Sequence, residues 1–111
     1  MGNITVSDNV VSEIAYRAMC SVYGVEPEDR DFKKYKKNIS IERTPEDNII
    51  INIKIEVPYG ENLVNFSQNL MKVVAENVTQ MTEKVVEAVN LVITSISESK
   101  NVEEGTDSSN S

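Results

Sequence analysis

The chain reads as an α+β domain with two layers. Its elements are expected in the order β-α-β-β-α-β, with both helices on one face of a mainly antiparallel sheet. Three observations in residues 48–81 lead there. Ile49, Ile51, Ile53, Ile55 and Val57 alternate with Asn52, Lys54 and Glu56, the period of a strand with one buried and one wet face. Pro58, Tyr59 and Gly60 then stop that strand, because proline offers no ladder donor and glycine permits a sharp change of direction. After Asn62, an N-cap residue type, Leu63, Phe66, Leu70, Val73, Val74, Val78 and Met81 fall on one side of a helix. A half-buried strand turning into an amphipathic helix is the seed of such a domain.

The other elements follow in order. Ile4 and Val6 alternate with Asn3 and Thr5, which predicts a short first strand. Ser7 or Asp8 caps a helix beginning near Asn9, with Val10, Val11, Ile14, Ala15, Ala18 and Val22 toward the core and Gly24 as its stop. A second stripe, Tyr16, Met19, Cys20 and Tyr23, has the spacing i, i+3, i+4, i+7. It either borders the core beneath the following loop or forms a contact surface, where aromatics and methionine are enriched.

Residues 26–37 are charged, acidic first and basic second, with Phe32 and Tyr35 placed to pin the segment to the domain. The mixed signs read as a solvated loop. Ile39 and Ile41 mark a second strand. The turn formers Thr44, Pro45, Glu46, Asp47 and Asn48 join it to the long strand as an antiparallel hairpin. Val85, Val89, Leu91 and Ile93 predict a last strand, with Val92 and Ile96 on its opposite face beside Ile50. The predicted core holds Ile14, Ala18, Ile51, Ile53, Ile55, Leu70, Val74 and Leu91. The order is compatible with a ferredoxin-like arrangement. The domain is expected over residues 1–96. Residues 97–111 are polar and acidic, lack periodicity, and read as a disordered tail.

Composition narrows the function. The chain has 111 residues, room for one core. A net charge of −7 argues against a nucleic-acid binder and against direct docking on an anionic membrane, both of which need clustered cations. No apolar run approaches the roughly 20 residues of a membrane span. The first residues lack a secretory signal and the single Cys20 allows no internal disulfide, so a cytosolic location is expected. With no histidine, Cys–His dyads, Ser–His triads and histidine zinc sites are excluded, and no glycine-rich phosphate loop or calcium loop is present. No catalytic, cofactor or metal site is expected. The chain reads as a binding or scaffold module.

Several pieces in order carry a resemblance: Asn3-Ile4-Thr5-Val6-Ser7, the helix ending Tyr23-Gly24-Val25, the turn Val57-Pro58-Tyr59-Gly60, and Val89-Asn90-Leu91-Val92-Ile93. Across residues 2–96 the sequence resembles the alkaline shock protein family, the small envelope stress response proteins of Gram-positive bacteria. It departs from the family where Glu83 and Lys84 follow Thr82, since members often read Thr-Gly-Leu there, and in the connector 26–37, which is shorter and lacks glycines. The resemblance implies a cytosolic, non-enzymatic protein of envelope homeostasis that self-associates and reaches the membrane through a small anchor protein. An adaptor of a fatty-acid-synthesis enzyme is the alternative it leaves. A nucleic-acid module would contradict the charge. Candidate contact residues are Tyr16, Cys20 and Tyr23, with Tyr59 at the strand–helix turn.

Overall fold

The computed structural model describes residues 2–98. Helix α1 (Asp8–Tyr23) begins where the sequence places a cap, with the Ser7 hydroxyl accepting from the Val10 N–H. It ends at Gly24, whose φ of 74° is left-handed and whose N–H returns to the Cys20 carbonyl. Val11, Ile14, Ala15 and Ala18 are buried, as their spacing requires, while Val10 at the helix start is 48% exposed.

Residues 3–7 do not form the expected strand. Two apolar residues bury too little surface to offset the ordering of a strand, and Ile4 is 88% exposed. The segment is instead held through its backbone, the Arg43 guanidinium donating to the Val6 carbonyl at 2.8 Å. The sequence 26–37 is also not a plain loop. It forms a single turn, α2 (Arg30–Lys33), capped by the Asp29 carboxylate on the Phe32 N–H, and then a 3-10 turn over Lys34–Asn38.

Strands β1 (Ile39–Arg43) and β2 (Ile49–Pro58) form the expected antiparallel hairpin, with Ile41 opposite Ile51. Its turn closes through Asp47 N–H to Thr44 O and Asn48 N–H to the Thr44 hydroxyl. Asn62 then caps α3 (Leu63–Thr82) through the Asn65 N–H, and α3 leads into β3 (Val86–Ser97).

The sheet order is β1-β2-β3, and β3 runs parallel to β2. The expectation of four strands in a mainly antiparallel sheet is therefore corrected to three strands in a mixed one. The reason lies in lengths. A helix of 20 residues spans about 30 Å, and a strand of ten residues spans about 33 Å. Helix α3 thus carries the chain back to the start of β2, and the next strand can only repeat its direction.

The core lies between the helices and the odd-numbered side of β2. Ile49, Ile51, Ile53, Ile55 and Val57 are all at most 1% exposed, and Leu70, Val74 and Val78 of α3 are sealed against them. Seven of the eight predicted core residues are buried; Leu91, on the outermost strand, is only half-buried. The alternation assigned to β3 is also interrupted. A register shift between Ile55 and Glu56 skips Thr94, whose hydroxyl donates to the Ile55 carbonyl, so Ile96 stands beside Val57 on the helix side and not beside Ile50. Of the tail expected over residues 97–111, Ser97 instead closes β3, and residues 99–111 lie outside the described residues.

Candidate functional site

The stripe on α1 is the first candidate, and its chemistry is settled by what covers it. Tyr16, Met19 and Cys20 are each 1% exposed and Tyr23 is half-buried. Phe32, carried in by α2, is the wedge. Its ring stands 6.0 Å from Tyr16, 5.0 Å from Tyr23 and 4.9 Å from Tyr35, while Phe66 of α3 meets Tyr23 edge-on at 5.1 Å. The polar ends are satisfied: the Tyr16 hydroxyl donates to Pro27 O at 2.9 Å and the Tyr23 hydroxyl to Glu56 O at 2.7 Å. Lysines close the surface above them. Lys36 lies 5.2 Å over the Tyr16 ring and pairs with Glu13 at 2.9 Å, and Lys34 lies 5.3 Å over Tyr35.

This packing moves the ionisations as expected for buried phenols. Burial pushes the Tyr16 phenol up to about 12. Burial, with the Glu56 carboxylate next to it, does the same for Tyr35, and Tyr23 is pushed up further. Burial also raises the Cys20 thiol, which keeps it protonated and poorly nucleophilic. Glu13 moves the other way, held below the usual carboxylate range by hydrogen bonds from Arg17 and Lys36.

Three of the four candidate contact residues therefore belong to a wall. Tyr16 and Cys20 are out of reach of any partner while the connector is closed, and Tyr23 spends its hydroxyl on the β2 backbone. Tyr59 is different. It is 73% exposed, and its N–H donates to the Ser97 carbonyl, which fixes the turn beside the end of β3.

At the end of the molecule that holds Tyr59 stand exposed apolar residues from two further elements, α3 and β3. Leu63 and Val64 of the first turn of α3 are 41% and 62% exposed, and Ile93 and Ile96 of β3 are 38% and 54% exposed. The register places Ile96 beside Val57, one residue before the turn, so these residues share one end of the molecule. The signal for Val64 was absent because it lies off the helix's apolar stripe. The signal for Ile96 was misleading because of the skipped residue in β3.

Elsewhere a shallow groove between α1 and α3 is lined by Val10, Ile14, Ala18 and Met81, with Glu13 and Arg17 at its rim. A second, polar hollow lies under residues 3–8, beside Arg43, Asp47 and Lys84. Those three are already engaged: Arg43 pairs with Asp8 and Asp47, and Lys84 with Asp47. Among the described residues, no group of histidine, cysteine and carboxylates is placed to hold a metal ion. No helix among them is long and apolar enough to cross a membrane.

No curated protein and no solved structure matches the chain. A family profile does, over residues 1–98, which is nearly all of the sequence and all of the folded elements above. The chain is thereby a member of the family of alkaline shock protein 23, described as having a cell envelope-related function.

Proposed function

We propose that this protein is a non-enzymatic component of cell-envelope homeostasis, working in the cytosol as a self-associating scaffold. A small membrane-anchor protein would bring it to the envelope. One observation carries the reading: the apolar surface at one end of the domain, built from Tyr59, Leu63, Val64, Ile93 and Ile96. A patch that joins a turn, a helix start and a strand end marks a contact site, whereas single exposed apolar residues need no explanation. The family's envelope-related role supplies the setting. The aromatic cluster on α1 serves this function indirectly by fixing the connector, and the patch itself provides the contact.

Light scattering over a concentration series tests the reading. Assemblies that grow with concentration, and shrink when Tyr59→Glu and Val64→Glu are combined, are the expected result. A chain that stays monomeric at every concentration would sink the scaffold. The patch would then be the docking face of an adaptor, for which a lipid-synthesis enzyme is the partner to capture.

A further inference from the structure

β3 is an edge strand. β2 bonds to one side of it, and among the described residues no strand bonds to the other. Twelve residues present roughly 40 Å of backbone donors and acceptors along that free side. Edge strands are ordinarily protected by charged side chains, proline, bulges or brevity. The strand VEAVNLVITSIS holds no proline and no basic residue; its single charge, Glu87, and its second skipped residue, Thr94, leave residues 88–93 between them regular and uncharged. The opposite edge, β1, is five residues long and carries Glu42 and Arg43.

We infer that the free edge of β3 pairs antiparallel with β3 of a second copy, continuing two three-stranded sheets into one of six strands. This deepens the self-association reading above and rests on it. The register follows from which side each residue faces. Centring the two-fold axis on Leu91 sets Val89 opposite the second copy's Ile93 and Val86 opposite its Ile96, all on the helix side. Asn90 then stands opposite the second copy's Val92 on the other side. The two skipped residues of β3, Glu87 and Thr94, lie nearly symmetrically about that centre, so the irregularities of one copy fall across from those of the other.

The near-absence of charge along the strand suits the same occupant. Two chains of net charge −7 repel each other wherever their acids meet, yet this register sets Glu87 against Ser95 and never against another Glu87. A charged partner would find nothing to pair with along the strand. The sequence that follows, residues 99–111, has Val102 as its one apolar residue, a composition unlike the apolar seam.

Surface area requires the whole edge. A stable interface takes about 800 Å² per partner. Val92, Ile93 and Ile96 are 56%, 38% and 54% exposed, and they supply part of it. Val64 and Met71 extend it, since they lie on the flank of α3 opposite the side where Phe66 meets Tyr23 of α1.

Cross-linking the full chain tests the register. Asn90→Cys combined with Val92→Cys should form a covalent dimer under mild oxidation, while either substitution alone stays monomeric on a non-reducing gel. Buried Cys20 does not compete. In parallel, Ile93→Lys with Ile96→Lys should leave the circular dichroism of the fold unchanged and shift the sedimenting species to monomer, because lysines pointing along the seam block edge pairing. Wild-type assemblies that survive the lysine pair and give no cross-link would overturn the edge pairing while leaving self-association intact. A wild-type chain monomeric at every concentration would overturn both.

Discussion

Glu83 shows how one residue can carry a cost that the fold accepts. It caps α3 at φ 59°, its N–H returning to Thr79 O, in a left-handed conformation that strains any side chain with a Cβ. Glu83 makes no side-chain hydrogen bond or ion pair among the described residues, so replacing it loses nothing visible. Glu83→Gly should stabilise the protein by about 0.5–1 kcal/mol, read as a higher urea midpoint with unchanged slope. Gly24 is the converse case: its φ of 74° suits glycine, and space around its Cβ position is open, so Gly24→Ala costs through backbone strain alone. Phe32 works differently again, as a plug. Phe32→Ala removes the ring that touches Tyr16, Tyr23 and Tyr35, and buried Phe→Ala changes cost about 3–5 kcal/mol. The sharper readout is Cys20, one helical turn from Tyr16. Its thiol should react with a maleimide markedly faster in the variant than in the wild type, where it is 1% exposed.

At the scale of elements, the connector and α1 are joined by phenols whose neutral form the fold prefers. Tyr16 and Tyr35 titrate near 12 in the folded protein against 10 when free, and Tyr23 is raised further. A raised folded pKa means that the stabilisation is complete below pH 10. Above it the unfolded chain releases phenolic protons first, so stability falls as pH climbs toward 12. Chemical denaturation from pH 8 to 11.5 should show a plateau and then a decline, and in a Tyr59→Phe background, which removes the exposed phenol, tyrosinate absorbance should appear only as the fold is lost. Ionisation of Tyr16, Tyr23 or Tyr35 near pH 10 without unfolding would contradict the packing. The salt bridges of Glu13 are a lesser matter, since its partners Arg17 and Lys36 are solvent-exposed.

For the whole molecule, the dominant tension is between a repulsive net charge and an apolar seam. Copies that carry −7 each must approach against their own field, while the proposed contact is almost uncharged. Added salt shortens the reach of that repulsion to about 8 Å at physiological ionic strength and leaves apolar burial intact. Self-association should therefore strengthen as sodium chloride rises from low to moderate concentration, measured as a falling dissociation constant by sedimentation. Weakening with salt would point to an ionic interface elsewhere on the surface.

The local elements were legible in the chain because each rests on neighbours in sequence. Ser7 and Asn62 cap, Gly24 stops, and the five odd-numbered apolar residues of β2 alternate, all within one or two turns of the backbone. The hairpin was legible for the same reason, since five turn-forming residues leave the two strands no other way to meet. The failures came where distant parts decide. Residues 3–7 alternate like a strand but bury too little to order as one. The stripe of Cys20 and the tyrosines of α1 read either as a border of the core or as a contact surface, and Phe32, arriving from outside their helix, is what covers it. The direction of β3 follows from comparing the length of α3 with that of β2, and Ile96 changes side through a single skipped residue. Periodicity therefore determined which residues of this protein are apolar together. Only the tertiary structure decided which of those apolar groups are sealed and which, along β3 and around Tyr59, are left facing water, because coverage depends on what arrives from elsewhere in the chain.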